Sequence, residues 1–135
     1  MASNYLEEQI GAHLLLTASW AKPANIYIAL FLTMPTEDGT GAIEVSGTGY
    51  ARIACGPGDS YWTTPVSGSG NYTNAAVVQY GSPGADWGSV VGFGLFDAVT
   101  SGNYLIGNTF SAPISILSGN PPPAFAVGAL SVTIS

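Results

Sequence analysis

Side chains able to do chemistry are few in this sequence, and their spacing assembles no reaction. His13 and Cys55 are the single histidine and the single cysteine. A nucleophile and base pair needs a third group to orient the imidazole, and both residues fall in apolar periodic segments where none is indicated. Asp86 and Asp97 flank one apolar segment as a glycosidase carboxylate pair would. Along an extended strand and its lead-in turn they fall too far apart, and each suits a simpler role, Asp86 in a turn and Asp97 at a strand end. Glu37, Asp38 and Glu44 lie near turn residues but miss the calcium-loop spacing, so a solvated surface loop is expected there. Gly92 and Gly94 are not followed by a helical pattern, which rules out a phosphate-binding loop. The expectation is a protein with no catalytic residues, no cofactor and no metal.

The residues left for function are those that make contacts. Tyr61, Trp62 and Tyr72 stand in a stretch of Gly, Pro, Ser and Thr, where they can stack on sugars or plug into a neighbouring subunit; aromatics anchor interfaces generally, which favours the neighbour. Arg52, one of two cations, lies mid-strand and is expected to pair with a carboxylate such as Glu44 at a strand edge or subunit contact. Gly92 and Gly94 remove side chains from one strand face, so a backbone or a large ring can lie close, inside the core or across a subunit boundary. These six residues are the expected interface set.

The elements that position them follow from periodicity. Residues 86–109 form a β-hairpin in which 90–97 and 103–109 are apolar runs and Thr100, Ser101, Gly102 and Asn103 supply the turn. Val91, Phe93 and Leu95 form its buried row. Residues 4–16 form the one convincing helix, with Asn4 as cap, Glu7 in a capping box and Leu6, Ile10, His13 and Leu14 on one stripe. His13 is thereby expected to be packed and hydrogen-bonded rather than a ligand. Residues 25–32 are apolar on both faces and make a central strand, one face in the core and the other under the helix or against a second subunit. Shorter strands are expected at 44–46, 50–55, 74–80, 112–117, 124–127 and 130–135. Residues 56–73 have no defensible period and are expected to form a long surface loop, removable without loss of the fold. The fold class is mostly β, an antiparallel β-sandwich or barrel, jelly-roll-like, of about eight strands (25–135) with one N-terminal helix, in a single domain spanning 1–135.

Composition bounds the partners. Charged residues make up 7% of the 135, against roughly a quarter in an average domain, so much of the surface is covered by other subunits or by uncharged polar side chains. Two cations against eight acids leave a net charge of −6, with no patch to neutralise phosphates; neither nucleic acid nor an anionic membrane is an expected partner. The N-terminus carries acid where a secretory signal carries base, which points to synthesis in a cytoplasm without a cleavable signal. One cysteine excludes an intrachain disulfide and makes Cys55 a buried small hydrophobe.

The succession NIYIALF, a Pro-Thr loop, EVSGTGYAR, an apolar strand, ADWGSVVGFGLFDA and a terminal FAVGALSVTIS resembles a family of small virion structural proteins of tailed bacteriophages, often described as tail-fibre-like. The resemblance covers the chain from about Tyr5 onward; the loop beginning at Gly56 and the turn at Pro121, Pro122 and Pro123 depart from it. It implies a non-enzymatic, homo-oligomeric virion component that contacts other virion proteins such as the major capsid or tail protein. With −6 disfavouring a surface facing packaged DNA, the expected location is the outer surface of the particle, as a capsid decoration or cement protein or as a tail or neck component. The competing reading is a carbohydrate-binding module for host-surface glycans, with Tyr61, Trp62 and Tyr72 as platforms.

Overall fold

Apolar residues on both faces of one segment and glycines opposite them in another dictate the centre of the molecule. The computed structural model describes residues 2–65 and 68–134; residues 66 and 67, within the expected loop, and Ser135, at the end of the expected last strand, lie outside the described residues. In chain order the elements are α1 (Asn4–Leu15), β1 (Tyr27–Thr33), β2 (Ile43–Glu44), β3 (Ile53–Ala54), β4 (Asn71–Thr73), β5 (Val78–Gln79), β6 (Gly88–Phe96), β7 (Tyr104–Ile116), β8 (Ala124–Phe125) and β9 (Ser131–Thr133). The main sheet runs β2-β1-β6-β7, with β3 also on β1; β4 pairs β9 and β5 pairs β8. Every pairing is antiparallel. The fold is mostly β with a single N-terminal helix, consistent with a β-sandwich.

The expected central strand is β1, and its two faces enter two different clusters. Ile28 and Leu30 join Phe93, Leu95, Leu105, Leu130 and Val132 in the main core. Ala29 and Phe31 join Phe96 and Tyr104, with Met34 against them. Within the chain this second face is closed by its own rings, with Phe31, Phe96 and Tyr104 lying 5.6–6.4 Å apart between centroids, and by Arg52 over Phe96 at 3.9 Å. The helix instead sends Leu6 into the main core.

Glycine makes this ring packing possible. Register sets Ala29 opposite Gly94 and Gly94 opposite Gly107. A Cβ on Gly94 would stand 2.7 Å from Phe31 Cε2 and 2.8 Å from Tyr104 Cε1; one on Gly92 would stand 2.5 Å from the Asn108 carbonyl and 2.7 Å from Met34 Sδ. The turn between β6 and β7 needs backbone freedom of another kind, with Ser101 at φ 52° and Gly102 at φ 76°. Asp97 holds it by accepting hydrogen bonds from the Asn103 backbone N–H (2.7 Å) and side-chain amide (2.9 Å).

Several local expectations need correction. The second hairpin strand and the strand expected at 112–117 are one strand, β7, and its register against β6 slips between Val90, opposite Ile114, and Gly92, opposite Thr109. Val91 alone therefore faces residues 110–113, a wide bulge that takes Pro113 without breaking a regular ladder. The bulge also swaps sides: Val90 is fully buried and Val91 is not. It sets Phe110 between Phe93 and Phe125, stacked at 6.0 and 5.5 Å.

The helix cap is Ser3, whose Oγ accepts from the Leu6 N–H and donates to the Tyr104 carbonyl at 2.6 Å. Asn4 and Glu7 therefore form no capping box. The helical stripe leaves the body of the protein after Leu6: Ile10 is half exposed, Leu14, Leu15 and Leu16 are 71–78% exposed, and His13 is exposed, accepting from the Trp20 N–H. Among the described residues no helix is long and apolar enough to cross a membrane.

Residues 56–73 are not a detachable loop. They contain β4, paired to β9 through Tyr72 opposite Val132, and Trp62, bridged to Asn74. Deleting 56–73 is thus expected to unfold the chain, visible as loss of a cooperative thermal transition.

Candidate functional site

The aromatic segment, the helix and residues of β4, β6, β7 and β9 meet in one place. Trp62 donates its indole N–H to the Cys55 carbonyl at 2.9 Å, and the backbone around it is tied at both ends, Thr63 N–H to Thr73 O (2.8 Å) and Ala75 N–H to Tyr61 O (2.7 Å). This holds residues 57–65 away from α1 and opens a cleft of about 550 Å³ between them. Leu6, Ile10 and Trp20 form one wall, Pro57, Trp62 and Pro65 the other, and Leu105, Ile106, Tyr72 and Val132 lie at its base. Among the described residues, Lys22 and Asp59 are the only charged ones that line it. Of the three expected interface aromatics, Trp62 and Tyr72 pack against the main core at the cleft and Tyr61 is 41% exposed outside its lining. A cleft of this size with almost wholly apolar walls takes an apolar occupant.

Arg52 lies elsewhere and is fully engaged within the chain. Its guanidinium grips Glu44 with two bonds (2.8 and 2.9 Å), donates to the carbonyls of Ala98 (2.9 Å) and Ser101 (2.8 Å), and covers the Phe96 ring at 3.9 Å. Tyr50 completes the group, its hydroxyl donating to Glu44 (2.6 Å) and accepting from the Leu30 N–H (3.0 Å). Burial, reinforced by the bond to Glu44, pushes the Tyr50 hydroxyl far above the ordinary tyrosine range. The expected pairing of Arg52 with Glu44 is present, and it pins β2 and the β6–β7 turn together. Lysine keeps the charge but not the fork, so Arg52→Lys is expected to cost ~2–3 kcal/mol, measured by urea unfolding. Gly92 and Gly94 also lie away from the cleft, beneath Met34 and Phe31 respectively.

The groups considered for catalysis are each used locally. Asp86 accepts from the Ser118 N–H at 2.8 Å, and Asp97 holds its turn. Among the described residues no cluster of three His, Cys, Asp or Glu side chains is placed to hold a metal. Cys55 is free, buried, and pushed up to about 11 by desolvation. A thiol raised in the folded state stabilises fully below its unfolded value of 9.0 and loses that contribution as pH climbs to about 11. The expected result is a urea midpoint that falls between pH 9 and 11, with a shallower fall in Cys55→Ala than in the parent chain.

Sequence reasoning missed the cleft and its wall residue Trp20. The signal was an isolated tryptophan in an otherwise polar connection, which has to cover apolar surface somewhere. It also missed Asn74, fully buried, whose amide donates to the carbonyls of Ala76 (2.9 Å) and Ala126 (3.0 Å) and accepts from the Leu130 N–H (2.9 Å).

The fold and the site together define a mostly antiparallel β protein with an open apolar cleft beside an exposed leucine end. The particular family follows from comparison: the chain belongs to the family described as podophage GP4 fiber I protein gp80, whose profile matches residues 1–133. It is a phage virion structural protein. No curated protein matches the chain.

Proposed function

We infer that the protein is a non-enzymatic subunit on the outer surface of a podophage particle, where it self-associates and attaches to a neighbouring virion protein through apolar contacts. The observation that carries this is the open apolar cleft beside Leu14, Leu15 and Leu16, three leucines left 71–78% exposed. A monomer does not gain by exposing such a cluster; an assembly does. The charge of −6 favours a position away from packaged DNA. Between capsid decoration and a tail or neck position, the family's description as a fiber protein favours the tail, and the contact chemistry is the same in either place. A glycan-binding role needs exposed ring faces, and of Tyr61, Trp62 and Tyr72 only Tyr61 is exposed.

Antibodies raised against the folded chain test the outer position. They are expected to label and cross-link intact particles; labelling only after particles are disrupted would contradict it. Apolar attachment also predicts salt tolerance, because screening weakens charge pairs and not hydrophobic burial. Occupancy on purified particles is expected to be unchanged between about 0.1 and 1 M salt, quantified by gel densitometry, whereas charge-held attachment would be shed.

A further inference from the structure

We propose that the cleft of one copy is filled by the Leu14, Leu15 and Leu16 end of α1 from another copy of this chain. This rests on the contact role inferred above and deepens it by naming the partner segment.

The helix carries one apolar stripe through three environments. Leu6 is buried in the core, Ile10 is 41% exposed on the cleft wall, and Leu14 is 76% exposed beyond it. Leu15 and Leu16 widen that end to 78% and 71% exposed, while Glu7 and Glu8 sit on exposed positions of the first turns. The chain thus displays an apolar plug and an apolar socket, and they adjoin along the same helix. The last carbonyls of α1 have no intrahelical partners, so the insertion is of leucine side chains, with the backbone of the helix end left at the rim in water. Among the described residues that line the socket the only charges are Lys22 and Asp59, of opposite sign, while Glu7 and Glu8 lie on the exposed first turns of α1, away from its leucine end.

The area suits a weak, reversible association. A leucine side chain covers roughly 100 Å² of apolar surface, so three of them about three-quarters exposed bury on the order of 200 Å² in each socket. With a matching area of socket wall and two sockets filled, the total is roughly 800 Å², below the ~1,000 Å² that a stable specific interface clears and in the range of a weak association. One socket alone falls short. Reciprocal exchange between two copies fills two sockets at one interface and comes closest to that area, whereas a closed ring fills one socket at each interface.

The test uses the purified full chain in solution, so its result is separate from where the protein sits on the particle: a monomeric chain would leave the outer position standing, and an internal position would leave self-association standing. A photo-reactive residue at Leu15, in a mixture of isotopically heavy and light chains, is expected to cross-link heavy to light, with the adduct on residues 57–65 or on Ile134. Sedimentation is expected to detect association below ~100 µM. Substituting Leu14→Ser, Leu15→Ser and Leu16→Ser together is expected to weaken it by ~100-fold or more, with the thermal transition retained because these side chains are exposed. Thr64→Trp, on the exposed rim of the socket, obstructs the other side and is expected to weaken association likewise. A chain that stays monomeric at ~100 µM, triple and Thr64 variants that associate as strongly as the parent, or cross-links confined to one chain or outside the cleft would each overturn the proposal.

Discussion

Replacing Gly94 by valine is expected to unfold the isolated chain, not merely to prevent its assembly. The first added carbon would lie 2.7 Å from Phe31 and 2.8 Å from Tyr104, and neither ring has room to retreat. Phe31 is 1% exposed and Tyr104 8% exposed, and both are held by Phe96 at 5.9 and 5.6 Å. The strand cannot yield either, because Gly94 is paired on both sides, to Ala29 and to Gly107. Overpacking of this kind costs ~1–3 kcal/mol for small additions, so Gly94→Ala is expected near the top of that range and valine beyond it, at ~4 kcal/mol or more. Urea unfolding of the purified chain measures it. A paired variant shows that the ring is the cause: Phe31→Leu in the Gly94→Ala background is expected to cost less than the sum of the two single changes. A Gly94→Val chain of normal stability that fails to assemble would instead make the glycine face an interface.

The second large effect is expected at Asn74. This residue follows β4 and is completely buried. Its backbone N–H donates to Leu130 O and its carbonyl accepts from Gly128 N–H, while its side chain ties Ala76, Ala126 and Leu130. One asparagine therefore joins the 56–76 segment to the connection between β8 and β9. Asn74→Ala removes three bonds and strands buried groups on the partner segments, an expected loss of ~3–5 kcal/mol, or roughly 10–20 °C in Tm. Asn74→Asp has nearly the same shape but turns an acceptor toward two carbonyls, and is expected to be at least as damaging as alanine. A loss below about 1 kcal/mol in either variant would mean that the segment is held by other contacts.

These two residues also mark the limits of sequence reading. Gly94 was legible because alternation is a local property: a glycine between Phe93 and Leu95 leaves a gap on the opposite face, and a strand as apolar as 25–32 supplies rings to fill it. The hairpin, the central strand, the Arg52 to Glu44 pair and the burial of Cys55 were readable on the same basis. Asn74 was not, since a buried asparagine has the same letter as a turn asparagine, and its partners lie 52 and 56 residues away. The long segment 56–73 looked like a loop because its order comes from single hydrogen bonds and one tryptophan rather than from periodic side chains. The bulge at Val90 was hidden for a related reason. It depends on three extra residues of the partner strand, and no pattern within 88–96 records them. The site followed the same division: the contact-making aromatics stood out by composition, while the cleft behind Trp62 required knowing that the helix turns away from the body after Leu6.

This chain is expected to work outside the particle through a filled apolar cleft. Imaging intact particles at a resolution that resolves side chains tests it most directly. The expected density lies outside the shell, in repeated copies, with the cleft between α1 and residues 57–65 occupied by leucine side chains of a neighbouring copy. Density on the inner face against packaged DNA, or a cleft open to solvent in every copy, would contradict it.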